Sequence, residues 1–293
     1  MTNLLIIDFE TRSRVDLLTA GSDLYAHRSL ITVADTIDIL EVRDTPKAGD
    51  VIAVWFSCGA ASAVALKKTI ERYPDCTILA LNNYIKEEDK DNRRFLRDVS
   101  EWVGLEIQDV RNPLYPNGSC VEVWENRKFM SGVKGAPCTM ELKFNARLKW
   151  EKKNKTDWTV MGFTADEVSR YTDLKERIPN LLPGLIDDGF TKGDCFNEVT
   201  RAGIALPNSY LKGYPNANCP GCVKATSPTY WNHVRKADPD IFAARAEQSR
   251  RIGAKLVRVK NVRIFLDELD PSATGKPMKD MNYECGVTCP SED

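Results

Sequence analysis

VWFSCGAASAVALKK, residues 54–68, is the stretch whose reading decides the fold. A hydrophobic run stops at a cluster of small residues, and a helix-forming run follows. Strand, small-residue loop and helix is how α/β proteins build a cradle for phosphate. Gly59 allows unusual backbone angles and close approach of a ligand. Ser57 and Ser62 offer hydroxyl donors, and the free N–H groups of a helix beginning near Ala60 add donors and a partial positive charge. A tight strand-to-helix turn, with small residues chosen for packing, accounts for the loop equally well on its own evidence.

Outward from this loop the pattern repeats. VIAVWF (51–56), TILALN (77–82), LEIQDV (105–110) and WTVMGF (158–163) are short apolar runs suited to buried parallel strands. Helical patterns fill the gaps at Ala60–Arg72, Asp89–Val103 and Thr139–Lys153. The expected fold is α/β: a three-layer α/β/α sandwich around a mostly parallel sheet, followed by a helical, cysteine-containing region. Ligands of such sheets sit at the carboxyl ends of the strands, where both SCGAAS and GFTADE fall. We expect three segments: an appendage over 1–48, a nucleotide-binding α/β domain over 49–190 and a helical region over 191–293. A strand pair is expected in KLVRVKNVRIFL, just before the tail.

Composition narrows the function classes. The 293 residues are 42% apolar and 28% charged with a net charge of −1, an ordinary globular balance that creates no global field towards nucleic acid. No apolar run approaches the roughly 20 residues that span a bilayer, and the first residues lack the pattern of a signal peptide, so a cytoplasmic protein is expected. In a reducing compartment nine cysteines read as metal ligands, reactive thiols or packing rather than as a disulfide framework. Cys219 and Cys222 form a C-x-x-C turn bent by Pro220 and Gly221, a spacing that presents two sulfurs to one metal or cluster, or forms a redox pair. Cys138 opens a helix, where the dipole favours thiolate. Cys58, inside the loop, is expected to pack beneath the ligand, Cys76 to join the core, and Cys195 to pack within a helix. Only His27 and His233 exist, so zinc hydrolysis and Ser-His chemistry are poor candidates. His233 reads as a helix-surface residue.

Ser57-x-Gly59-x-x-Ser62 resembles the PP-loop of the adenine-nucleotide alpha-hydrolase superfamily, which includes ATP pyrophosphatases, tRNA-thiolating enzymes and phosphoadenylyl-sulfate (PAPS) reductases. The ATP-cleaving branch carries Asp where this chain has Ala61, which makes SCGAAS more similar to the reductase branch. GFTADEVSR resembles the reductase segment in which a glycine ends a strand and an acidic residue and arginine follow, here Gly162, Glu167 and Arg170, with Thr164 replacing an early arginine. The resemblance implies that Ser57, Cys58, Gly59, Ala60, Ser62, Gly162, Glu167 and Arg170 bind an adenine nucleotide: PAPS, adenylyl sulfate (APS) or ATP. Arg170 would pair with a phosphate or sulfate oxygen. Glu167 and Arg170 also suit a plain i,i+3 surface pair.

Cys138 and Lys143, then Cys219 and Cys222, are similar to the two elements that hold a [4Fe–4S] cluster in adenylyl-sulfate reductases, with Thr139 replacing one ligand. Cys289 is the first candidate for the fourth ligand and Cys120 the second; zinc is the alternative metal. Glu284-Cys285-Gly286-Val287-Thr288 resembles the catalytic tail of the reductases, with Thr288 in place of histidine. That makes Cys285 either the nucleophile that attacks the sulfur or, with Cys289, a cluster ligand. TKGDC, NANCPGC, YWN and ECG match a phage-type group within this family, which would place the protein in a host cytoplasm. The resemblance runs over residues 50 to 290. It implies reduction of a sulfonucleotide to sulfite, with a thioredoxin-like protein as reductant. The alternatives are ATP-dependent insertion of sulfur into a nucleobase of tRNA or DNA, and a zinc-stabilised nucleotide- or nucleic-acid-binding protein without catalysis. In the first 48 residues, Asp8 and Glu10 of LLIIDFETRS resemble the first exonuclease motif of phage-type DNA polymerases, and too little chain follows to complete such a site.

Overall fold

The structure, a computed structural model, describes residues 45–132 and 135–278, together with the strand pairing of 6–7 and 14–15. The chain divides into two units, Met1–Pro46 and Lys47–Asp293. In the first, β1 (Ile6–Ile7) pairs antiparallel with β2 (Arg14–Val15). Asp8, Glu10 and His27 lie outside the described residues, as do Cys285 and Cys289 of the tail.

The second unit is built on five parallel strands. They are β3 (Val51–Phe56), β4 (Thr77–Asn83), β5 (Ile107–Val110), β6 (Trp158–Met161) and β7 (Leu181–Leu182), in the order β5-β4-β3-β6-β7. The unbroken apolar run of VIAVWF places β3 at the centre, because only a strand covered on both faces can bury consecutive side chains. Alternation then divides that run between two cores. Ile52, Val54 and Phe56 pack with α1 (Ala60–Arg72), α2 (Asn92–Val103) and α7 (Lys192–Arg201) on one face. Ala53 and Trp55 pack with α5 (Asn145–Glu151) and α6 (Val168–Lys175) on the other. The expected three-layer α/β fold is therefore present. The chain leaves β3 in one direction through β4 to β5 and returns to the far side of β3 as β6, which creates a switch point between the carboxyl ends of β3 and β6.

A separate core lies outside the two that flank the sheet. It combines α3 (Cys120–Arg127) with α9 (Pro228–Ala237), α10 (Pro239–Ile252) and the hairpin of β8 (Val257–Val259) and β9 (Val262–Ile264). Trp124, Tyr230 and Trp231 are buried within it. Between α9 and the loop after β3 lies the short α8 (Asn208–Leu211).

Local chemistry sets several boundaries. Gly104 ends α2 in the left-handed conformation at φ +68°, with its N–H and that of Leu105 bonded back to Glu101 and Ser100. Residues 139–153, expected as one helix, are instead divided. A short α4 (Pro137–Thr139) passes into a π-helical turn over Met140–Phe144 before α5 begins. The wide turn directs two charged side chains inward: Glu141 is 2% exposed and Lys143 7%. Glu141 is held there by Asn112, Asn145 and Arg127, the use of a π turn often found at functional sites. His233 is half-buried rather than on the helix surface. Its ring meets Tyr214 edge-on at 4.8 Å because α9 turns that face towards the 213–214 loop.

Candidate active site

The loop after β3 is shaped by Cys58, a non-glycine residue at φ +56°. Its thiol turns away from the ligand side into the sheet, where the Asn82 side-chain amide donates to it at 3.6 Å, and burial pushes its pKa well up. Ser62 holds the loop closed. Its hydroxyl accepts from the Ser57 N–H at 3.1 Å and the Ser57 hydroxyl at 3.2 Å, and donates to the Gly59 carbonyl at 2.8 Å. Ser57, Gly59, Ala61 and Ser62 thereby line a cavity of about 300 Å³ at the switch point, with Cys58 and Ala60 behind its wall. Tyr210 packs against the same turn: its hydroxyl lies 3.2 Å from where a Cβ on Gly59 would stand, and burial pushes its pKa up to about 12. The N–H groups at the start of α1 have no partner within the helix.

The facing wall is the segment after β6. Gly162 permits the approach of the two walls: a Cβ on it would lie 2.6 Å from the Ser62 nitrogen and 2.7 Å from its Cα. Glu167 caps the turn by accepting from the Thr164 N–H at 3.2 Å and its hydroxyl at 3.3 Å, and it also pairs with Arg170. Glu167 and Arg170 are thus an i,i+3 pair and part of the cavity wall at once. Asp166, beside them, is exposed and makes no hydrogen bond or ion pair among the described residues. Lys192, from α7, reaches the wall and bonds Pro215 and Asn216.

Two polar atoms on this cavity are buried without partners among the described residues: the Trp55 indole N–H and the Asn83 amide oxygen. Trp55 is 4% exposed and Asn83 9%. A buried donor and a buried acceptor left unmade cost free energy unless a ligand or water completes them. Together with the cations Lys143, Arg170 and Lys192, they suit a polar anion such as a nucleotide.

Behind Lys143 lies a second cavity, walled by Cys120, Cys138, Cys219 and Cys222 with Ile85, Trp124 and Val223. Lys143 lines both cavities and is paired at 3.5 Å with Glu88, whose pKa burial raises despite the nearby ammonium. Cys120 opens α3, where Glu87 accepts from its N–H at 2.7 Å and also holds the Ser119 cap. Cys138 sits in the first turn of α4. Gly221, at φ +69° and packed on Ile241, sets the C-x-x-C turn, and the Cys222 N–H donates to the Tyr230 hydroxyl at 2.7 Å. The Cys120 thiol holds Cys138 below the ordinary thiol range, with help from the ammonium groups of Lys224 and Lys143. Cys120 is correspondingly pushed well up by Cys138, Cys219 and burial. The four thiols ring a space rather than converge: among the described residues no three His, Cys, Asp or Glu side chains are set to hold a single ion.

Of the residues singled out in the sequence, the structure brings Ser57, Gly59, Ser62, Gly162, Glu167 and Arg170 to one cavity and Cys138, Cys219 and Cys222 to the other. Cys195 is core, and Cys76 is half-buried with its thiol on the Lys47 carbonyl at 3.2 Å. Tyr210, Trp55 and Asn83 carry no sequence motif. Their part in the site comes from the packing.

Among the described residues no helix is long and apolar enough to cross a membrane. No protein-family model matches the chain, and no curated protein matches it. Among solved structures it is similar to the U34-tRNA thiolase NcsA from Methanococcus maripaludis with its [4Fe–4S] cluster, over 74% of this chain and 76% of that one, at 12% identity and a TM-score of 0.40. A likeness of that size says nothing about the reaction of this chain.

Proposed function

We infer that the protein is an adenine-nucleotide-dependent enzyme of sulfur chemistry, with an iron–sulfur cluster held beside the nucleotide. The observation that carries this reading is Lys143, a single buried cation on the walls of both the nucleotide cavity and the cavity of four thiols. A polar cavity fit for an anion and a thiolate pocket fit for a soft metal group, sharing one charged wall, couple nucleotide binding to sulfur or electron transfer. Cys138, Cys219 and Cys222 would hold the cluster; the unpartnered indole N–H of Trp124, on the wall of the same cavity, is a buried donor suited to a sulfur acceptor there. A cluster so held would supply electrons, or sulfur, next to the nucleotide.

Within that class, ATP-dependent sulfur insertion into a nucleobase is the first reading. Asp166, a carboxylate free among the described residues on the cavity wall, supplies what Ala61 lacks for magnesium and pyrophosphate chemistry. ATP would adenylate a base oxygen with release of pyrophosphate, and sulfur would then displace AMP. The second reading is reduction of a sulfonucleotide, favoured by Ala61 itself and by Cys285 in the ECG tail. Cys285 would attack the sulfonyl sulfur and expel the adenine nucleotide, leaving a cysteine S-sulfonate, from which a thioredoxin-like dithiol would release sulfite and the free thiol while being oxidised to its disulfide.

Holoprotein prepared without oxygen and supplied with ATP and RNA is expected to release pyrophosphate in an RNA-dependent manner, with loss of that release in Asp166→Asn. Sulfite from adenylyl sulfate or PAPS, with no RNA-dependent pyrophosphate, selects the second reading. Absence of both, with stoichiometric zinc and no iron, overturns the enzyme class altogether.

A further inference from the structure

The geometry points to Cys120 as the fourth thiolate of the cluster site, completing a protein-closed set with Cys138, Cys219 and Cys222. This rests on the cluster reading above and sharpens it, because it removes Cys289 and Cys285 from the ligand set and leaves both tail thiols for chemistry.

Three observations carry it. Cys120 is 3% exposed and stands on the wall of the same cavity as the other three thiols. Its position is fixed rather than incidental: it is the first residue of α3, and the Glu87 carboxylate clamps its N–H at 2.7 Å. A buried donor on the same wall has no hydrogen-bond partner among the described residues: the Trp124 indole N–H, one turn along α3 from Cys120. The Arg245 guanidinium, 5% exposed, stacks 4.3 Å over that indole. Thr139, at the position of the missing ligand of the paired motif, leaves a vacancy in sequence that Cys120 fills in space.

The test compares iron and sulfide per chain, the visible absorption and the electron paramagnetic resonance of anaerobically reconstituted full-length protein. Wild type is expected to hold about four irons. Cys120→Ala is expected to lose about one iron per chain and show the signal of a three-iron cluster, or to lose the cluster. Cys120→Ser, which keeps the size of the side chain, is expected to retain the fold by circular dichroism while changing the resonance spectrum. Cys289→Ala and Cys285→Ala are expected to match wild type in iron and spectrum. Wild-type iron and spectrum in both Cys120 variants overturn the assignment, as does a loss in Cys289→Ala or Cys285→Ala equal to that in Cys120→Ala. Wild-type protein without iron overturns the cluster reading itself, a result distinguishable from either.

Discussion

Replacing Lys143 by methionine tests how the two cavities are joined. Lys143 and Glu88 face each other at 3.5 Å with side chains only 9% and 8% exposed. At that distance an effective dielectric of about 20 gives an attraction of about 5 kcal/mol. Removing one partner of a buried pair typically costs about 3–5 kcal/mol, because the other charge stays buried. The cost should depend on pH, and the sign follows from Glu88. Burial already holds its pKa above the ordinary carboxylate value, and Lys143 is the main influence pulling it back down. Without Lys143 the folded pKa rises further. Glu88 is then accommodated as the neutral acid at low pH, and relative to wild type, whose Glu88 is itself raised, stability is lost as pH climbs above the wild-type folded value towards the variant's higher one. The destabilisation is therefore larger near pH ~7.5 than near pH ~5. Urea unfolding of Lys143→Met and wild type at the two pH values measures this directly. Adding Glu88→Gln to the variant should recover most of the loss near pH ~7.5 and little near pH ~5, the signature of coupled neighbours. A destabilisation that does not vary with pH, or that Glu88→Gln leaves untouched, would refute the pairing argument. The same variant should weaken ATP binding by roughly tenfold, about 1.4 kcal/mol, since the cavity loses one of its three cations.

Two further substitutions probe the geometry of the site. Gly162→Ala would force a methyl group within 2.6 Å of the Ser62 backbone. It should cost about 1–3 kcal/mol in urea unfolding and abolish measurable nucleotide binding by calorimetry, and unchanged binding would show that the loop and the β6 segment are not rigidly apposed. Gly221→Ala meets Ile241 at 2.9 Å in a left-handed turn at φ +69°. It should distort the C-x-x-C turn and lower the iron content while leaving nucleotide affinity within about twofold, so full iron retention would dissociate that turn from the cluster site.

The layered sheet was legible because each signal was local. VIAVWF is apolar at every position, as only a strand covered on both faces can be, and it is the central strand. The α1 boundaries and the hairpin after residue 255 follow from periodicity and turn residues just as directly. The helix expected over 139–153 shows where local reading stops. Its sequence suits an unbroken α-helix, yet burying Glu141 and Lys143 against Asn112, Asn145 and Glu88 widens one turn to π geometry. The loop glycines and serines were legible as a ligand loop, but their division of labour was not. Ser62 closes the loop on itself, and Tyr210, distant in sequence, packs its hydroxyl against Gly59.

What the sequence determined by itself was the strand–loop–helix cradle, the C-x-x-C turn and the expectation that further cysteines serve a metal, because those depend on spacings of a few residues. What only the tertiary structure decided was which groups converge. Cys120 and Cys138 lie on different helices, Cys219 and Cys222 on a distant turn, and Lys143 between them and the cavity at the end of β3. Their meeting is set by how α3, the π turn and the 214–225 segment pack into one core, and packing of that range leaves no pattern in the local sequence.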